Sequence, residues 1–167
     1  LEEKRQFPQT LLHKLADLGI MGMSVPSEYG GIKTDTLSLM ITLEELSRAL
    51  PSLAVIISVH CSLFCYAILR YGSDRQKEKY LSKAARGEML GAFALTEPGA
   101  GSDIHALKTK AEKKGDVYIL NGTKSWVTTG SDALAYILFA NTENKTNKKR
   151  LSAFIVEKDF PGLRVST

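Results

Sequence analysis

The stretch LKTKAEKKGDVYILNG, residues 107–122, decides the fold class, because within it the spacing of apolar residues is two. Leu107, Thr109 and Ala111 alternate with Lys108, Lys110 and Glu112, the pattern of a half-buried strand. Lys114, Gly115 and Asp116 supply a hairpin turn, Val117 to Leu120 a second strand, and Asn121-Gly122 a two-residue hairpin signal. Further strands are predicted at 123–129, 134–140 and 151–156, with a turn at Pro161-Gly162 and no helical period between them. Residues 89–167 therefore read as an antiparallel β domain.

Upstream, the period is helical. Leu11, Leu12, Leu15 and Leu18 form a stripe that follows Pro8 and stops at Gly19. Turn chemistry occupies Ser24 to Gly31. Asp35 caps a second helix whose Leu39, Leu43, Leu46 and Leu50 face a core. Pro51 opens a strongly apolar helix that Gly72 ends, and Ser73 with Gln76 makes a capping box for a charged helix closing at Gly87. Residues 1–88 thus read as a helical bundle, and helices followed by strands make the class α+β.

Composition excludes several functions. The 167 residues are 44% apolar and 24% charged, which argues against disorder and fibres. A net charge of +4 is a poor case for nucleic-acid binding. Lys145, Lys148, Lys149 and Arg150 crowd one turn, which suits either a phosphate on a small molecule or a solvated hairpin tip. The run from Leu53 to Leu69 falls short of a spanning length and carries Ser58, His60 and Ser62, so a buried helix without membrane insertion is expected. Cys61 and Cys65 lie four apart inside it and read as core thiols, and with no signal sequence a reducing compartment is expected. His13, His60 and His105 share no metal-binding spacing with each other or with the cysteines.

Two stretches could carry chemistry. FALTEPGAGSD, residues 93–103, has Gly99 and Gly101 but no third glycine, and a strand follows it, so it is not a dinucleotide fingerprint. Its bend can form an anion-binding nest or be an ordinary loop. Glu97 and Asp103 read as loop-ordering groups. In SWVTT, residues 125–129, Trp126 and Thr128 would share one face of a strand. An indole beside a hydroxyl suits a planar heteroaromatic ligand, and it equally suits a β core.

The runs GAFALTEPGAGSD (91–103), ALKTKAE (106–112), LNGTKSWVT (120–128), AFIVE (153–157) and PGL (161–163) together resemble the acyl-CoA dehydrogenase family. VPSEYGG (25–31), EEL (44–46), YGS (71–73) and Gln76-Lys77 agree, so the resemblance covers nearly the whole chain. It implies the family's N-terminal helical domain and most of its middle β domain. The C-terminal helical domain, with the glutamate that serves as base, is absent from these residues, so no catalytic residue is assigned and the fragment is expected to be inactive alone.

What the resemblance implies for the site is specific. FAD would lie along Phe93, Ala94, Leu95 and Thr96 and reach its phosphates at Gly101 and Ser102, with Trp126, Val127 and Thr128 on a facing segment. Thr128 would meet flavin N5, and Ser102 would also touch the pantetheine arm of the acyl-CoA substrate. Val59 and Leu63 align with the acyl-chain tunnel, where plain core packing would serve as well, and Lys148 with the nucleotide end. Dehydrogenation to a trans-2-enoyl-CoA, electron transfer to an electron-transfer flavoprotein, and a homotetramer in the full-length protein are further implications. So is a mitochondrial matrix or a bacterial or archaeal cytoplasmic location. An acyl-CoA oxidase or nitroalkane oxidase of the same fold, or a non-catalytic scaffold, is the alternative.

Overall fold

The computed structural model describes residues 7–143 and 149–166. Helix α1 (Gln9–Asp17) buries Leu12 and Leu15 and ends at Gly19, whose φ of 78° is left-handed. Leu18 departs from the expected stripe: it lies just past the last turn and is exposed. Helix α2 (Thr36–Ala49) starts where the Asp35 side chain accepts the Ser38 N–H, and it packs Leu39, Leu43 and Leu46 into the core.

The apolar helix comes in three pieces. Pro51 opens α3 (Pro51–Ser58), a π-helical turn covers Val59–Cys65, and α4 (Tyr66–Tyr71) completes it. The Cys61 carbonyl accepts the Tyr66 N–H five residues on, the π pattern, and it also accepts the Ser24 hydroxyl at 2.9 Å. By length and composition Pro51–Tyr71 could cross a membrane. The expectation that this run falls short of a spanning length is thus corrected, and its Ile57, Cys61, Phe64, Cys65 and Ile68 are buried in the protein core. Burial pushes the Cys61 thiol up to about 11, which leaves it an inert packing group. Helix α5 (Asp74–Ala85) begins with the expected Ser73–Gln76 capping box.

The strands are β1 (Gly91–Ala94), β2 (Lys110–Lys114), β3 (Val117–Asn121), β4 (Ala135–Glu143) and β5 (Lys149–Glu157). The α+β class stands, but the sheet is mixed rather than antiparallel. Strand β4 is central, with antiparallel β5 along one edge. Its other edge takes β1 in parallel at residues 135–138 and β2 in parallel at 141–142, while β3 pairs antiparallel with β2 alone.

The difference arises at Asn121-Gly122, which does not fold back as a hairpin. Gly122 lies so close to Thr109 that a Cβ would collide with its backbone and side chain. The chain then runs on as a loop, without the strand expected at 123–129, and re-enters the sheet as β4. A crossover of that length permits parallel pairing.

The sheet uses both faces. Ala135 and Ile137, with Phe93 and Phe139, pack toward Phe64, Ile68, Tyr80 and Leu81 of the helices. Ala92, Ala94 and Tyr136 point the other way, against Ala133 and Val127. The helices and sheet are also joined by polar contacts. Lys79 Nζ and the Tyr80 hydroxyl donate to Glu157 Oε1 at 2.5 and 2.6 Å, and the Gly91 N–H donates to His60 Nδ1 at 3.1 Å.

Candidate functional site

The end of β1 and the loop before β4 meet. The Ser125 N–H donates to the Thr96 carbonyl at 2.8 Å, and Lys124 Nζ donates to the Leu95 carbonyl at 2.9 Å. Phe93 is half-buried with its ring 5.1 Å from that of Phe139, and Ala94 is buried on the opposite face. Leu95 and Thr96 follow as the half-buried rim of the sheet.

The loop is shaped by alternate anchoring rather than by a ladder. Val127 packs inward on the small residues Ala92, Ala94 and Ala133. Trp126 takes a left-handed φ of 57° and turns out, leaving it 91% exposed. The expectation that Trp126 and Thr128 share a strand face is therefore corrected, because no strand forms there. The backbone just before Trp126 is held to the β1 end by the Ser125–Thr96 bond, and the indole lacks apolar cover among the described residues. An aromatic surface so uncovered adds little to folding and is free to meet a ligand.

Hydroxyls on this side are also unpaired. Those of Thr96, Ser102 and Thr128 make no hydrogen bond among the described residues. The glycine-rich bend is a plain turn rather than a left-handed nest. Glu97 and Ala100 exchange backbone bonds of 2.9 and 3.1 Å, and neither Gly99 nor Gly101 has a positive φ. Both glycines face open space, and with Ser102 they leave their N–H groups without a protein acceptor among the described residues. The bend can thus still offer donors to an anion.

At the polar centre of the site Glu97 has a partner, Lys124, that was not foreseen. Glu97 is buried, and its carboxylate accepts from Lys124 Nζ at 2.8 Å, the Lys108 N–H at 2.6 Å, the Thr109 N–H at 2.9 Å and the Thr109 hydroxyl. Burial alone would raise its pKa; the Lys124 ammonium, the Thr109 hydroxyl and the two N–H donors outweigh that and hold it at about 2. Glu97 is thus a structural carboxylate, as expected. Asp103 likewise accepts from the His105 N–H at 3.0 Å. The available signal for Lys124 was electrostatic: a carboxylate in an apolar stretch needs a cation, and Lys124 sits in the segment assigned to the same site.

The remaining candidates belong to other segments of the chain. Val59 is half-buried and Leu63 is 38% exposed on the π-helical turn, both on the helical side of the molecule. Lys148, with most of its turn, lies outside the described residues.

The chain is similar to known proteins in sequence and fold. The family model for the acyl-CoA dehydrogenase N-terminal domain matches residues 1–88, and that for the middle domain matches residues 92–167. An acyl-CoA dehydrogenase of Bacillus subtilis is 44% identical over 165 residues, 99% of this chain and 44% of that protein. A solved chain described as an electron transferring flavoprotein of Acidaminococcus fermentans superposes with a TM-score of 0.93 at 40% identity, covering 99% of this chain and 43% of that one. An acyl-CoA dehydrogenase of Bacillus anthracis solved in complex with FAD gives a TM-score of 0.85 at 40% identity, over 95% and 27%. This chain therefore belongs to the acyl-CoA dehydrogenase family. It spans less than half the length of these relatives.

Proposed function

We propose that this chain supplies the flavin bed and part of the acyl-CoA site of an FAD-dependent acyl-CoA dehydrogenase, which oxidises the Cα–Cβ bond of an acyl thioester to a trans-2-enoyl-CoA. The observation that carries the reading is the junction at Thr96 and Ser125, which joins the loop bearing an exposed indole to one sheet edge, with hydroxyls on both segments that are unpaired among the described residues. Those groups fit a planar ring with an apolar face and a polar rim. We place the boundary between the helical and β parts at residues 88 and 89, and we assign the electrons to an electron-transfer flavoprotein.

Bound FAD would supply the hydride acceptor. The chain's own residues do the rest of the positioning. The Trp126 indole excludes water from one ring face, and the Thr96 hydroxyl and backbone groups nearby answer the donors and acceptors of the ring edge. The Thr128 hydroxyl can both donate and accept, which suits an atom whose hydrogen-bonding role inverts on reduction. Gly101 and Ser102 offer N–H donors to phosphate. Ser102 also serves the pantetheine arm, while Val59 and Leu63 line the path of the acyl chain.

The test uses Trp126, the single tryptophan of the chain. Addition of FAD is expected to quench its emission saturably; absence of quenching overturns the reading. In the complete enzyme, Thr128→Ala is expected to keep its FAD while single-turnover dehydrogenation slows about tenfold, the loss of one hydrogen bond. An unchanged single-turnover rate removes Thr128 from that role. Stopped-flow absorbance measures it.

A further inference from the structure

Three segments converge on one buried ion pair. Lys124 and Glu97 have side chains only 7% and 5% exposed, and they lie 2.8 Å apart. Glu97 belongs to the turn after β1, its backbone-bound partners Lys108 and Thr109 belong to the entry of β2, and Lys124 belongs to the loop before β4. Lys124 spends a second donor on the Leu95 carbonyl, one residue before the Thr96 carbonyl that receives the Ser125 N–H. No sheet ladder holds residues 122–134. The Tyr136 hydroxyl on the Gly130 carbonyl, Lys158 Nζ on the Ser131 carbonyl and the Leu134 N–H on the Leu90 carbonyl hold the second half of this loop. The polar bonds of the ion pair, with the packing of Val127, hold its first half, up to Thr128.

A buried ion pair is a weak source of net stability, since an apolar pair of equal volume often does as well. What it adds is direction. A carboxylate that accepts from both a lysine and two backbone N–H groups admits one arrangement of its partners, whereas apolar packing admits several. We propose that Glu97 and Lys124 are positioning residues: a buried clip that fixes the spacing between Thr96 and the Trp126–Thr128 loop before any ligand arrives. The assignment deepens the FAD reading, and it rests on that reading only for the identity of what the spacing fits. A preformed cradle avoids ordering the loop during binding, so the clip strengthens affinity without touching the ligand.

Amide hydrogen exchange of the full chain tests the clip without any flavin. In Lys124→Met, exchange of the Ser125 amide is expected to accelerate at least tenfold, while amides of the β4–β5 ladder stay within about twofold of the parent. Thr109→Val is a milder variant that removes one hydroxyl donor to Glu97; it is expected to accelerate Ser125 about threefold, and Thr109→Ser to restore it. Time-resolved anisotropy of Trp126 is expected to gain a larger fast component in Lys124→Met and in Thr109→Val. Unchanged Ser125 exchange in both variants, or acceleration that merely tracks the β4–β5 ladder, overturns the clip.

FAD titration forms a separate arm. Thr109→Val is expected to weaken quenching of Trp126 by FAD several-fold, and equal FAD affinity in parent and variant overturns the binding role of the clip. A parent chain that FAD does not quench refutes the flavin reading, and the exchange data then still decide whether the clip exists.

Discussion

Gly91→Ala is expected to destabilise the chain by about 3 kcal/mol or more and to lower the melting temperature by roughly 6–12 °C. A Cβ built at Gly91 falls within the ring of Phe64. That ring has nowhere to go. Phe64 is fully buried among Val25, Ile68, Leu81, Ala84, Ala135 and Ile137, and it stacks beside His60 with centroids 6.1 Å apart. Relief by moving β1 is equally blocked, because the Gly91 N–H is bonded to His60 and β1 is laddered to β4. The same chemical change at Gly99 meets nothing within 4 Å, so Gly99→Ala is expected to stay within about 0.5 kcal/mol of the parent. Phe64→Leu combined with Gly91→Ala is expected to recover part of the loss, giving a double-mutant coupling that neither single change predicts. Thermal and urea denaturation of these three variants and of Phe64→Leu alone measures this. A Gly91→Ala chain within 1 kcal/mol of the parent would refute the steric account.

Gly91 also shows what a one-dimensional reading can reach. The helical elements were legible because their signals are local: Asp35, the Ser73–Gln76 box, Pro51 and the leucine spacing of α2 each act within a turn or two. The alternation at Leu107, Thr109 and Ala111 was legible for the same reason, and all three are buried. What lay outside its reach depends on contacts between distant residues. Asn121-Gly122 has hairpin composition, but its glycine is needed for the close approach to Thr109, so composition pointed to a turn that packing does not make. The parallel pairing of β1 and β2 with β4 follows from that failed hairpin.

The site divides along the same line. The segments at 93–102 and 125–129 were identified from residue types and do adjoin. Lys124, which joins them, was missed because its partner stands 27 residues earlier. The side-by-side arrangement of Trp126 and Thr128 was inferred from a strand period that the left-handed φ of Trp126 breaks.

Acidification is expected to weaken the fold by about 3 kcal/mol between pH 6.5 and pH 4 through His60 alone. His60 is fully buried, and burial depresses its pKa from 6.5 to about 4 despite the bond to the Ala84 carbonyl. Its geometry requires a neutral ring: Nδ1 accepts the Gly91 N–H at 3.1 Å, so Nε2 carries the proton and lies 3.2 Å from that carbonyl. In the unfolded chain the imidazole protonates near pH 6.5. Between the two values the unfolded state therefore binds the extra proton, and stability rises with pH by about 1.4 kcal/mol per unit. The contribution is complete above pH 6.5 and is lost as pH falls toward 4. Carboxylates do not share this window. Glu97, Glu157 and Glu88 are all shifted downward from 4.5, and Asp35 from 3.8, so what they add is retained until the pH drops below those values. Urea midpoints measured from pH 7 to pH 4.5 thus isolate the histidine. His60→Gln keeps an amide able to accept from Gly91 and donate to Ala84, yet it cannot titrate, so its midpoints are expected to be flat across the same range even if the variant is less stable at pH 7. An equal slope in parent and variant would place the acid sensitivity elsewhere and remove His60 as the neutral strut between the π-helical turn and β1.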